Sequence, residues 1–255
     1  MSEQPNDNKL EPMKFTIVGC GGIGNWLAKG VAMMLNSRAP GSVLMLVDGD
    51  NYEPKNVDRQ LFSSAGNKAE VMCEEMQPLF DKIFIVPDPR WVVPDGSKAA
   101  KSDDSIGVSD LLIENDIVFS VVDNHAARKT IFDAAKNYSN IDVFTGGNDD
   151  QLYGSVYHYR RRENEEVTDH PSFWHGELVD PPDRNPGELS CQERAEIEGG
   201  TQTVAANMAV ASFLLAQVNH FVFENNDITH GEVSFDLGQG LASGADRLSE
   251  ELQTT

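Results

Sequence analysis

The sequence predicts an α/β fold: a Rossmann-like, doubly wound, mostly parallel sheet with antiparallel C-terminal strands and a long crossover loop. Three observations predict it. Short apolar runs of strand length alternate with helix-period apolar stripes as far as Thr145. A glycine-rich turn joins the first run to the first stripe. The second half then changes character, to aromatic alternation, a proline-rich polar stretch and one long apolar helix.

Each element follows from its residues. Lys14 to Val18 is a short apolar run ending in glycines, the pattern of a buried parallel strand. Ile23, Leu27, Val31 and Leu35 recur every four residues and predict a helix with one apolar stripe. Val43 to Val47 is the second strand, Ala65 to Leu79 a helix with Pro78 near its end, and Ile83 to Val86 the third strand. Pro87 to Gly107 is rich in Pro, Asp, Ser, Lys and Gly and predicts a surface loop. Asp116 to Val122 is a buried strand, Asn124 an N-cap for a helix to about Tyr138, and Ile141 to Thr145 a further strand. Gln151 to Tyr159 carries alternating aromatics, as an antiparallel strand does. The polar stretch from Arg160 to Cys191 holds four prolines and no periodicity, which marks a functional loop or a mobile segment. Val204 to Val222 predicts a long buried helix and Glu232 to Leu237 a late strand. The domain boundaries expected are a flexible N-terminus over 1–13, one domain over 14–240 with its crossover loop at about 160–200, and a polar tail over 241–255.

Composition narrows the function. With 20 basic against 41 acidic residues the formal charge is −21, which disfavours nucleic acid as a ligand because phosphates need a basic surface. No apolar run approaches the roughly 18 residues that cross a bilayer, so no membrane span is expected. The first twelve residues lack a basic-then-apolar leader, so the expected location is the cytoplasm. Three scattered cysteines give neither a disulfide framework nor paired Cys-x-x-Cys zinc ligands.

Gly19-Cys-Gly-Gly-Ile-Gly24 occupies the place of a phosphate loop between the first strand and helix. Gly19, Gly21, Gly22 and Gly24 let backbone approach an anion, and the helix N-terminus supplies free N–H groups. Asp48 ends the second strand, where a carboxylate accepts hydrogen bonds from ribose hydroxyls. To this point an NAD(P) enzyme and an ATP enzyme look alike.

The run Asp48-Gly-Asp-Asn-Tyr-Glu-Pro-Lys-Asn-Val-Asp-Arg-Gln60 separates them. It resembles the D-x-D-x-V-x-x-x-N-x-x-R-Q signature of the ThiF/MoeB/HesA family, with Tyr52 in place of valine. Gly66-Asn-Lys68 is similar to the family's lysine at a helix start, and Val122-Asp-Asn-His-Ala-Ala-Arg128 to its D-N-x-x-A-R motif. The resemblance is strong over residues 14 to 147. It implies a Rossmann-like adenylyltransferase that binds ATP and Mg²⁺ and activates the C-terminal carboxylate of a small ubiquitin-like protein with a Gly-Gly tail, as a homodimer. On this resemblance Asp48 takes the ribose, Asn56 and Gln60 give neutral hydrogen bonds, Arg59 and Lys68 meet phosphate oxygens, and Asp123 holds the metal. Asp50 and Asn124 fall in the nucleotide site too, though Asp50 equally fits a loop cap and Asn124 a helix cap. Arg128 fits either an ion pair with an acidic neighbour or a contact to ATP.

Cys191 resembles a cysteine that takes an acyl group in some members, and an unreactive thiol fits it equally. Cys20 and Cys73 read as packing residues, and His170 and His175 as parts of the loop. The chain departs from the family in two respects. It has no Cys-x-x-Cys pairs, so zinc is not expected. It also lacks an arginine before Arg38, leaving Arg160, Arg161 and Arg162 as candidates for a missing cation. Two other readings remain open: an inactive module that keeps the fold for partner binding, and an NAD(P)-dependent enzyme.

Overall fold

The computed structural model describes residues 9–58, 60–148, 152–189, 193 and 203–248. The first half runs β1 (Lys14–Val18), α1 (Gly24–Arg38), β2 (Val43–Val47), β3 (Asn51–Tyr52), β4 (Gly66–Asn67), α2 (Lys68–Met76) and β5 (Phe84–Asp88). There follow β6 (Trp91–Val93), β7 (Ser105–Gly107), α3 (Val108–Leu111), β8 (Ile117–Ser120), α4 (His125–Ala135) and β9 (Ile141–Asn148). The second half holds β10 (Tyr153–Arg162), β11 (Glu165–Glu166), α5 (Val204–Val218), β12 (Glu232–Asp236) and β13 (Leu241–Ala245).

Eight strands of the main sheet lie in the order β13-β12-β10-β9-β8-β1-β2-β5, with β11 paired to β10. Strands β5, β2, β1, β8 and β9 are parallel, and β10, β12 and β13 extend the sheet antiparallel. β1 sits between β2 and β8, so successive strands leave it in opposite directions and a crevice opens at their C-terminal ends. Because helices cover both faces, β8 is buried at all four positions and β1 at four of five, which is why these strands read as unbroken apolar runs. Phe15 and Ile17 pack with Leu27, Leu35 and Leu214 on one face, and Val18 packs with Val118, Phe132 and Val143 on the other.

The α/β fold agrees with the sequence reading, and several boundaries differ for physical reasons. The expected loop from Pro87 to Gly107 contains a parallel pair, β6 with β7. β5 continues through Pro87 to Asp88, because it is the outermost strand and proline's missing N–H costs an edge little. α2 starts at Lys68 and not Ala65, since Asn67 is its N-cap, accepting from the N–H groups of Ala69 and Glu70. The tail expected from 241 begins instead with β13, which pairs with β12, and Leu248 bridges to Thr168. Residues 9–13 are anchored too: the Leu10 N–H donates to Arg38 at 2.8 Å, and Leu10 and Met13 pack on the core. α5 and the π turn after it, Val204–Phe223, together form a helix of 20 residues long and apolar enough to span a bilayer, contrary to the run count. Half of it is buried inside the fold, where α5 packs against β9, β10 and α1.

Arg160 to Arg162 sit at the opposite end of the sheet from the crevice. Arg160 pairs with Asp142 at the start of β9, some six residues and about 20 Å from the strand's other end. Arg160 Nε lies 2.6 Å from Asp142 Oδ1, His158 Nε2 2.7 Å from the same oxygen, and Arg162 pairs with Oδ2. Arg38, hydrogen-bonded to Asn219 and to the carbonyl of Phe223, is likewise committed within the domain. Neither supplies a cation to the crevice of its own chain. Burial alone would raise the Asp142 carboxyl, but the hydrogen bond from His158 and the charges of Arg160 and Arg162 outweigh it and hold the carboxyl well below the ordinary range. That contribution is complete above about pH 4 and is lost as pH falls through the depressed value. Asp142→Asn should therefore cost about 3–5 kcal/mol in urea unfolding at pH 7, since it strands a buried guanidinium. The gap between wild type and variant should shrink as pH falls below 4.

Candidate nucleotide site

A cavity of about 410 Å³ opens at the C-terminal ends of β1, β2, β8 and β9. Its floor is the glycine turn after β1. Gly19 holds φ at +97°, and a Cβ there would meet the carbonyl of Val121 at 2.9 Å, so β1 and β8 close on one another only because position 19 is bare. Gly24 is as constrained, for a Cβ on it would fall 1.9 Å from the Gly19 oxygen. Gly19, Gly21 and Gly22 line the cavity; Gly24 does not, and its part is to bring α1 down on the turn. α1 has neither a side-chain cap nor an acidic residue in its first turn. α2, α4 and α5 are capped by Asn67, Asn124 and Thr203. Of these four helices α1 is the one without a side-chain cap; the N–H groups of Asn25 and Trp26 go to the carbonyls of Gly21 and Ile23, so the donors an anion would meet are those of the glycine turn itself.

Asp48 reaches this turn from β2. Its Oδ2 accepts the Cys20 N–H at 2.7 Å and its Oδ1 the Asp50 N–H at 2.9 Å, leaving each oxygen a further lone pair for a hydroxyl donor. Burial raises its carboxyl above the ordinary range, and Lys68 and the two N–H groups offset part of that. Asp50 caps the loop through its neighbour's backbone, one of the two readings its sequence position allowed, and also pairs with Lys68. Its Oδ1 takes the N–H of Asn51, and its Oδ2 pairs with Lys68 Nζ at 2.5 Å. Burial would push the Lys68 ammonium down, but Asp48, Asp50 and Asp123 outweigh it and hold it above its usual value. It is thus a buried, charged group, and one of its three donors goes to Asp50. Gln60 is 7% exposed and lines the cavity with a buried Oε1 that has no hydrogen-bond partner among the described residues, an orphan of the kind a ligand satisfies. Asn56 lies behind it, buried, its carbonyl accepting the Gln60 N–H at 2.9 Å. Arg59 lies outside the described residues, as does Cys191.

On the other wall stand Asp123, Asn124 and Arg128. Asn124 is the helix cap that its sequence position suggested: Oδ1 accepts the Ala127 N–H at 2.8 Å. Arg128 makes no ion pair among the described residues. Its Nε donates to the Val122 carbonyl at 2.9 Å and its Nη2 to the Gly146 carbonyl at 3.1 Å, with its guanidinium still facing the cavity. Desolvation lowers its pKa, and Asp123, Asp183 and Glu177 oppose that. Asp123 is exposed to the cavity and forms no hydrogen bond or ion pair with the described residues. Among those residues no group of three or more His, Cys, Asp or Glu gathers to hold a metal. An uncommitted carboxylate still fits Mg²⁺, which takes one or two protein oxygens and completes its shell with phosphate oxygens and water.

Sequence reasoning missed the outer wall. Arg90 and Trp91 lie in the stretch read as a loop, yet both line the cavity. Arg90 forks onto Asp88 with two bonds of 2.8 Å, and the Trp91 indole lies so close to Gly49 that a Cβ there would meet it at 2.4 Å. Placing them at the C-terminal end of β5, beside the same crevice, was the available signal. Asn185 and Pro186 of the crossover segment also face the cavity, and nothing in their local sequence marks them. Cys20 is buried under the glycine turn, where burial and then Asp48 raise its thiol well above the usual range; it is a packing residue, as expected.

A model of the ThiF family matches residues 2–239. The chain belongs to the ThiF family. Among solved structures it is similar to selenomethionine PaaA, with a TM-score of 0.62 and 20% identity over 93% of this chain and 64% of PaaA. It is also similar to Escherichia coli MccB solved with ATP, with a TM-score of 0.65 and 17% identity over 92% of this chain and 64% of MccB. The structure of the microcin C7 biosynthetic enzyme MccB with N-formylated MccA gives 0.67 and 16% over 92% and 65%. At these identities the likeness is one of fold, and the chain spans just under two thirds of the length of those relatives. A search of curated proteins found no match.

The tight contact at Gly24 has a direct test. Gly24→Ala should lower unfolding stability by about 1–3 kcal/mol, as an overpacked site does. Gly176→Ala, where a Cβ meets nothing within 4 Å, should stay within about 0.5 kcal/mol of wild type.

Proposed function

We propose that this chain is an ATP-dependent adenylyltransferase that activates a carboxylate as an acyl-adenylate. The observation that carries this reading is the convergence on one cavity of a helix N-terminus without a side-chain cap, a buried ammonium at Lys68, an orphan amide oxygen at Gln60 and an uncommitted carboxylate at Asp123. In the reaction a substrate carboxylate oxygen attacks the α-phosphorus of ATP. The bond from that phosphorus to the bridging oxygen breaks, and pyrophosphate leaves with the electron pair. Two anions must meet, so the protein's share is positioning and charge stabilisation. Asp48 orients the ribose, the N–H groups of the glycine turn take phosphate oxygens, and Lys68 places its charge beside them. Asp123 is the residue to hold Mg²⁺, whose chemistry is to neutralise charge on the polyphosphate. Arg59 is assigned to the same phosphates on the sequence motif alone.

The carboxylate in this reading is the C-terminus of a polypeptide, in the form the family resemblance gives it, a ubiquitin-like protein ending in Gly-Gly. That MccB was solved with N-formylated MccA supports a polypeptide more broadly. A homodimer belongs to the same proposal, as does Cys191 as an acyl acceptor after adenylation. A nicotinamide enzyme has no use for Lys68 and Asp123 facing each other across the cavity, and a binding module has no use for a buried ammonium there.

ATP–pyrophosphate exchange tests the assignment, run with peptides ending in Gly-Gly and with peptides of randomised C-termini. Wild type should show exchange that depends on a free C-terminal carboxylate, and Lys68→Ala should reduce it about a hundredfold or more. Exchange indifferent to Lys68, or tight binding of NAD in place of ATP, would remove the assignment.

A further inference from the structure

Three helices, α1, α2 and α4, begin at the cavity, and the chain treats the N-termini of α1 and α4 in opposite ways. That of α1 has no side-chain cap, and of its first N–H groups those of Asn25 and Trp26 are taken by the carbonyls of Gly21 and Ile23. That of α4 is filled by the protein itself. Asn124 takes the Ala127 N–H, and the carboxylate of Asp183, far along the chain, takes the other two exposed donors. Its Oδ2 accepts from His125 at 2.9 Å and its Oδ1 from Ala126 at 2.8 Å. A carboxylate at the positive end of a helix is favoured by charge as well as by hydrogen bonds.

The residues after Asp183 stay attached. Asn124 Nδ2 donates to the Arg184 carbonyl at 2.8 Å, so one asparagine both caps α4 and grips the segment. Asn185 is 2% exposed; its Nδ2 donates to the Val92 carbonyl at 3.0 Å, and its Oδ1 accepts the Gly187 N–H at 3.0 Å. A strap of five residues, 183–187, thus runs from the start of α4 to β6, and Asn185 and Pro186 face the cavity from it. Pro181 and Pro182 stiffen its approach. Its outer surface carries the Arg184 side chain, 66% exposed and paired with Glu193, while Asn185 and Gly187 are buried beneath it.

We infer that Asp183 is a positioning residue that latches this strap across the nucleotide cavity, and that release of the latch sets the rate at which nucleotide leaves. The second half rests on the proposed function; the latch does not. The strap is held on α4 by Asp183 and by the Asn124 bond to the Arg184 carbonyl, on β6 by Asn185, and by the pair of Arg184 with Glu193 at 3.0 Å. Asp183 supplies two of these bonds, so its loss weakens the α4 end most. A carboxylate fits the role better than a fixed apolar contact because an incoming polyphosphate repels it, coupling the strap to the charge of what occupies the cavity.

Hydrogen–deuterium exchange on the free chain reads the latch without any ligand. Asp183→Ala should speed exchange across residues 183–187 as well as in the first turn of α4, and Asp183→Asn, which keeps one acceptor, should fall between it and wild type. Asn185→Ala cuts the anchor on β6 and leaves α4 untouched; it should expose the same strap, and it carries the test if Asp183→Ala fails to fold. With a fluorescent ATP analogue as the probe, both alanine variants should release nucleotide about tenfold faster than wild type. Faster exchange confined to α4, with the strap still protected, would overturn the latch. A freed strap with unchanged nucleotide release would overturn its gating part. If wild type does not bind the analogue, the functional reading fails and the exchange data still decide the latch.

Discussion

The carbonyl oxygen of Gly19 stands where a side chain at position 24 would begin, and the rest of the molecule is arranged around that contact. It lets α1 start directly on the turn after β1. The same turn packs against the Val121 carbonyl, so β1 and β8 can be neighbours with their C-terminal ends nearly touching. Strand order reverses at that pair, and the cavity is what the reversal leaves open. A methyl group at either glycine would push apart two strands and a helix together. The site is therefore as much a consequence of packing as of any polar residue in it.

Charge is managed differently at the two ends of the sheet. At the far end Asp142 collects His158, Arg160 and Arg162, a cluster closed within the domain that ties β9 to β10. At the cavity the charges are shared out less fully. Lys68 gives one donor to Asp50, Arg128 donates to backbone carbonyls, Arg90 forks onto Asp88, and Asp123 pairs with nothing described. In a chain with a formal charge of −21, Lys68, Arg90 and Arg128 gather at this cavity with Asp48, Asp50 and Asp123. The same residue types close an ion-pair cluster at one end of the strands and line a cavity at the other.

The crossover segment links these themes. It brings a carboxylate to one helix terminus while the chain leaves another uncapped, so that one of two similar donor sets is reserved. The reserved set is filled by the strap, and the other has no side-chain cap. Such a division could not be made by α1 and α4 alone, since both end in the same free N–H groups.

The sequence by itself determined the parallel half of the fold, because strands buried on both faces must be apolar throughout and helices between them must carry a stripe. It also marked Gly19, Asp48, Lys68 and Asp123, which the fold brings to one cavity, because they stand at fixed offsets from strand ends. It marked Asn124 as a cap and Cys20 as packing, and both follow from local patterns. Only the tertiary structure decided where Arg160 to Arg162 point, since an ion pair with Asp142 depends on the register of β9 and β10. It alone showed Arg90 and Trp91 at the cavity, in a stretch too short and too polar to carry a period. It also extended the domain through β13, whose exposed residues lack the apolar pattern of a buried strand. Asp183 was invisible for the simplest reason: its partners are backbone N–H groups nearly sixty residues away, and backbone donors leave no mark in a sequence.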